Sequence, residues 1–129
     1  MPASGTCYWR VISEGGWYGG TAASPYDLWE DLQVLAMYDG SGNYCGRVSD
    51  HVCATPQNAD YYGGLTIQNW WYADGVYQNS RVDRFYPSSG QTVCSYSGSY
   101  LASHSTVIDG EFATWNGVQV GLHSIGGTP

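Results

Sequence analysis

From Leu65 onward the apolar residues come in short runs: Leu65 to Tyr72, Val76 to Tyr77, Val82 to Tyr86, Thr92 to Tyr96, Thr106 to Ile108 and Val118 to Leu122. Gly, Asp, Asn, Ser and Pro cut off each run. Segments this short, punctuated this often, have the spacing of strands in a sandwich or barrel. Residue choice agrees, because 6 Trp, 12 Tyr, 2 Phe and 18 Gly favour strands and turns over helix bundles. With 129 residues and 43% hydrophobic content, the chain is expected to form a single β domain over 1–129 with a packed core.

The first half is more varied. Tyr8, Arg10 and Ile12 alternate with Trp9 and Val11, the pattern of a strand. The glycine doublets of Glu14-Gly-Gly-Trp-Tyr-Gly-Gly20 are expected to break that strand and leave Trp17 and Tyr18 on a loop. Ser24 as N-cap, Pro25 at the first helical position and Asp27 three residues after the cap predict one short helix. Leu28, Leu32 and Leu35 have helical spacing, yet the turn cluster of Asp39-Gly-Ser-Gly-Asn43 marks a hairpin, so Gln33 to Tyr38 is read as a strand. Residues 54 to 63 read as a loop. The expected fold is therefore all-β, an antiparallel sandwich or barrel with one short helix.

Charge narrows the partners. Four basic residues, all arginine, face eleven acids, for a formal charge of -7. Arg10, Arg47, Arg81 and Arg84 are too few and too scattered to release counterions from a nucleic acid or to hold an anionic membrane. No segment approaches the roughly 20 apolar residues needed for a membrane span, so no membrane insertion is expected. The Met1-Pro2 start fits the mature end of a secreted protein supplied with a start codon. Cys7, Cys45, Cys53 and Cys94 lack the paired spacing of a zinc site and read as two disulfides in an oxidising, extracellular compartment. Three connectivities are open to them on sequence alone.

Catalytic patterns are weak. His51, His104 and His123 fall in separate segments, with no motif that predicts a metal site. Ser103-His104-Ser105 is only an adjacent set with no nucleophile elbow around it. Asp109 and Glu111 would share one side of a strand if Gly110 continued it, as paired carboxylates do in glycosidases. Asp109-Gly110 is the usual turn dipeptide, however, and the two are read as solvated turn acids. Asp39, Ser41 and Asn43 occupy alternate positions of a calcium loop, but the twelfth position is Asp50 rather than a bidentate Glu, so a turn is the better reading. No cofactor is implied.

Exposed aromatics are the more promising signal. Trp70, Trp71 and Tyr72 are consecutive, so on a strand Trp71 must face away from Trp70 and Tyr72. Tyr77 lies just beyond the Asp74-Gly75 turn, while Trp17, Tyr18, Tyr61 and Tyr62 sit beside glycines. Rings of this kind offer large contact area with a polar tip and suit a binding surface, with Gln68 and Asn69 as neighbouring hydrogen-bonding groups.

Two resemblances extend this reading. The blocks Ser4-Gly-Thr-Cys7-Tyr-Trp-Arg-Val-Ile, Leu35-Ala-Met-Tyr-Asp-Gly-Ser-Gly-Asn-Tyr-Cys45, Tyr72-Ala-Asp-Gly-Val-Tyr77 and Ser89-Gly-Gln-Thr-Val-Cys94-Ser-Tyr-Ser-Gly98 resemble, in order, the small secreted actinobacterial spore-associated proteins. That resemblance implies a small extracellular β domain without an established catalytic residue. With Cys53 in place of the family's last cysteine, its order implies Cys7–Cys45 and Cys53–Cys94 as the pairing. Separately, Arg81-Val-Asp-Arg84-Phe-Tyr with Gly98-Ser-Tyr-Leu-Ala102 resembles the secreted NAD-glycohydrolase fold of fungi and mycobacteria. That likeness implies Arg84 at a diphosphate and Tyr100 in a nicotinamide pocket. The leading expectation is a non-catalytic secreted module that binds an envelope glycan or adapts to a protein partner. The alternative is a small secreted enzyme or toxin, with Arg81, Asp83, Arg84 and His104 as its test residues; a proteinase inhibitor would need a reactive loop that is not recognisable here.

Overall fold

Inward and outward positions alternate along most of this chain, and two apolar faces close on each other as a result. In the segment Leu28–Tyr38, Leu28, Glu30, Leu32, Val34 and Ala36 are all fully buried, while Trp29, Asp31, Gln33, Leu35 and Met37 lie on the other side. Period two of this kind is a strand with one face on the core. The computed structural model describes residues 5–129; the Met1-Pro2 start and Ser4 of the first cysteine block lie outside the described residues.

Among the described residues nine strands follow in chain order: β1 Tyr8–Gly19, β2 Leu28–Tyr38, β3 Tyr44–Pro56, β4 Leu65–Ala73, β5 Val76–Phe85, β6 Val93–Tyr96, β7 Tyr100–Leu101, β8 Val107–Trp115 and β9 Val118–Gly127. One sheet has the order β1-β2-β3-β6, with β7 also paired to β3; the second has the order β5-β4-β8-β9. Every pairing is antiparallel. The fold is an all-β pair of antiparallel sheets stapled by two disulfides, Cys7–Cys45 and Cys53–Cys94, which is the pairing expected. Disulfides are compatible with an oxidising, extracellular environment.

Three local expectations are corrected. Ser24 to Asp27 forms turns rather than a helix: Ser24 N donates to Thr21 Oγ1 at 3.2 Å, and β2 starts at Leu28 because its residues alternate two by two. The Glu14–Gly20 segment does not break β1, which runs through to Gly19, and Trp17 and Tyr18 are strand residues. The bare α-carbons of Gly15 and Gly16 seat the rings of Trp17 and Trp29, where a side chain would collide with them. Residues 54 to 56, expected in a loop, are the end of β3.

The interior falls into two apolar clusters. Leu28, Leu32, Val52, Leu65 and Ile67 belong to one, and Val34, Ala36, Val48, Ala73 and Val107 to the other. Between them, the inward positions are Asp50 on β3, Asn69 and Trp71 on β4, and Asp109 and Glu111 on β8. A polar belt thus crosses the core.

β6 is only four residues long, and Cys53 stands directly opposite Cys94 across the β3–β6 ladder. The bridge closes a separation of 41 residues, for which chain-entropy arguments give about 4 kcal/mol. Replacing Cys53 and Cys94 together with Ala is expected to cost stability of that order in a urea titration. An unchanged midpoint would contradict this.

Candidate functional site

The outer face of the second sheet carries the aromatic stripe. Register places Tyr77, Tyr72 and Ile108 in one row across β5, β4 and β8. Ser80, Trp70, Gly110 and Ser124 form the next row across all four strands, and Val82, Gln68, Phe112 and Leu122 the third. None of these residues is charged. Val82 is 62% exposed, Leu122 55%, Tyr77 51% and Ile108 41%, so the face is open. Trp70 is half-buried because its indole lies across Gly110, where any Cβ would collide with the ring. Tyr72 and Tyr77 meet edge to face at 5.6 Å.

The other expected binding residues are not gathered there. Trp71 is buried and stacks on Tyr100, as period two requires once Trp70 faces out. Tyr61 is buried as well, stacked on Trp115 in the core rim, so it offers no surface. Trp17 faces the space between the sheets. Tyr18 lies on the outer face of the first sheet against Trp29, and Tyr62 is exposed in the β3–β4 loop. Gln68 is exposed on the stripe, whereas Asn69 points inward and is fully buried.

The glycohydrolase-like residues are also separated. Arg84 is exposed and donates to the Gly63 carbonyl at 3.0 Å; the Tyr100 hydroxyl points between the sheets and donates to Asp50 Oδ2 at 2.7 Å. Arg81 is paired with Asp83, and His104 lies near the C-terminal carbonyl. The calcium-like spacing serves the hairpin itself, since Asp39 Oδ1 accepts the Ser41 and Asn43 amides, both at 2.9 Å.

Asp109 and Glu111 require correction. They are not solvated turn acids: both are fully buried in mid-β8, with Gly110 continuing the strand. The reversal occurs instead at Asn116-Gly117, whose φ values of 51° and 77° suit a two-residue hairpin turn. Sequence reasoning passed over their partners too. Glu30 on β2 and Asp50 on β3 are fully buried and face Glu111 and Asp109 from the first sheet's side. The usable signal was phase: in Leu28-x-Glu30-x-Leu32 and Val107-x-Asp109-x-Glu111-x-Ala113 the acids share the parity of the core residues.

One end of the belt forms a cluster. Glu111 Oε1 accepts from His123 Nδ1 at 2.7 Å, and Glu30 Oε1 lies 3.6 Å from the same nitrogen. Trp17 stacks on the His123 ring with centroids 4.5 Å apart and planes within 9°. Neither oxygen of Glu30 has a hydrogen-bond donor, nor does Glu111 Oε2. Burial first, then the neighbouring Glu111 carboxyl, pushes Glu30 up to about 10. At the other end, burial and the Asp50 charge raise Asp109 to about 10, and burial raises Asp50 to about 7 against the lowering effect of the Tyr100 hydroxyl. Beside His123 opens a cavity of about 360 Å³, whose wall includes Tyr18, Gly19, Gln119, Gly121 and Leu122.

No family model and no curated protein matches the chain.

Asp50 sets the sign of a pH effect. Its folded pKa is raised above the ordinary 3.8, so between about pH 4 and 7 the unfolded chain releases a proton that the folded one keeps. Stability is therefore expected to fall as pH rises through that window, by up to about 1.4 kcal/mol per unit for this group. Denaturant titrations from pH 4 to 8 should show the decline, and Asp50→Asn should make it shallower below about pH 7 while the share from Glu30 and Asp109 remains. A wild-type profile that rises over this range would contradict the assignment.

Proposed function

We propose that this chain is a non-catalytic secreted binding module that docks a protein partner through the outer face of β5-β4-β8-β9. The observation that carries the reading is the uncharged three-row face around Trp70, on a chain whose formal charge is -7. With strands about 4.8 Å apart, it covers roughly 300 Å², within the range of the largest surface patch of a typical monomer, which is often functional. Trp70 lying flat on Gly110 is a rigid anchor with little entropy to lose, and Tyr72 and Tyr77 brace each other beside it. Val82, Ile108 and Leu122 favour a protein over a glycan, since aliphatic groups give sugar hydroxyls nothing to bond and only Gln68, Ser80 and Ser124 stand among them. The two disulfides support secretion into an oxidising space.

Paired substitutions test this. Trp70→Ala is expected to weaken partner binding tenfold or more with modest loss of stability, whereas Trp71→Ala should cost about 3 to 5 kcal/mol of stability as a core deletion. Val82→Asp with Leu122→Asp should abolish binding in a folded protein. The measurements are urea titration together with affinity for partners captured from the secreted fraction and for an arrayed glycan set. Glycan binding that survives the double aspartate variant but is lost in Trp70→Ala would overturn the choice of a protein partner.

A further inference from the structure

We propose that Glu30, Glu111 and His123 form a binding site for one divalent transition-metal ion of the zinc class, opening onto the cavity beside His123. Each residue offers one ligand atom, and these atoms lie within 4.8 Å of one another; on binding, the metal takes the place of the proton that His123 Nδ1 shares with Glu111 Oε1. Ligands on a zinc ion stand about 2.0 to 2.2 Å from it, so closing on the metal needs shifts of well under 1 Å in each side chain.

Several independent features point to a cation here. Glu30 is fully buried, and both of its oxygens lack any protein partner, as does Glu111 Oε2. Buried carboxylates are ordinarily paired or coordinate a metal. Pairing with a lysine or arginine is closed off, because the chain has no lysine and all four arginines are exposed on its surface, which leaves His123 as the one cationic side chain beside these acids among the described residues. The surroundings also favour access. Gly121 lies against the Glu30 carboxylate so closely that a Cβ would occupy the carboxylate's own space, and Gly19 approaches it from β1. Both glycines line the cavity, and so does His123 itself. Trp17, stacked on His123, holds the imidazole plane toward the two carboxylates.

The ligand types select the ion. One imidazole with two carboxylates suits zinc and its neighbours, whereas calcium takes six to eight oxygens and the cluster supplies too few. Three protein ligands leave a fourth position for an exchangeable group, the arrangement of open rather than structural zinc sites.

The test uses the whole protein stripped of metal by a chelator and titrated with zinc in a calorimeter. One zinc per chain is expected, with affinity at least 100-fold weaker in Glu30→Gln and in His123→Gln. A double His51→Gln, His104→Gln variant should bind as wild type. At zinc 100-fold above Kd the melting temperature should rise on the order of 10 °C, and not in Glu30→Gln. Calcium should give neither heat nor shift. Should Glu30→Gln fail to fold, His123→Gln at the cavity wall and the visible d–d band of the cobalt-loaded wild type decide the matter. The proposal is overturned if wild type takes up no zinc, if Glu30→Gln or His123→Gln binds it equally, or if only the double histidine variant loses it.

Discussion

Four carboxyl groups lie between the two sheets with no cationic side chain other than a histidine to meet them. Glu30, Asp50, Asp109 and Glu111 are fully buried, and every arginine is outside. An unpaired carboxylate in such a place would cost several kcal/mol, so each group must be neutralised by a proton, by hydrogen bonds or by a bound ion. The rest of the interior is arranged around that requirement. Apolar packing splits into two clusters because the belt runs between them, the Tyr100 hydroxyl turns inward to reach Asp50, and Gly121 forgoes a side chain where Glu30 needs room.

Strand identity was legible where alternation was unbroken and turn dipeptides were in register with it. The Asp39–Asn43 hairpin and the Asp74-Gly75 turn are read correctly from composition because both require conformations that Gly, Asn and Asp reach easily. The same rule misplaced Asp109-Gly110. There the dipeptide sits inside a strand whose neighbours claim it on both sides, and Trp70 uses the missing side chain of Gly110 as its seat. Ser24-Pro25 failed for a related reason. Capping chemistry can start a helix, but eleven alternating residues with both a β1 and a β3 neighbour outweigh it.

The candidate surfaces divide along one strand. On β4, Trp70 and Tyr72 face solvent while Asn69 and Trp71 face the belt, so the aromatic run is half surface and half core. That division into solvent-facing and core halves follows from period two, and which half is which depends on the phase of Leu65 and Ile67. The acid cluster was out of sight because its members come from β2, β8 and β9, brought together only by the packing of one sheet on the other. Distance in sequence hid it, while the parity of each acid among core residues was visible.

The central claim is that the belt holds carboxyl groups neutral inside the folded protein at neutral pH. Carbon-13 NMR titration of the Asp and Glu side-chain carboxyls in the metal-free protein measures this directly. The account predicts that Asp50 keeps its proton to about pH 7 and that Glu30 and Asp109 keep theirs well above it, as burial requires. Titration of all eleven acids near the ordinary carboxylate range would contradict it.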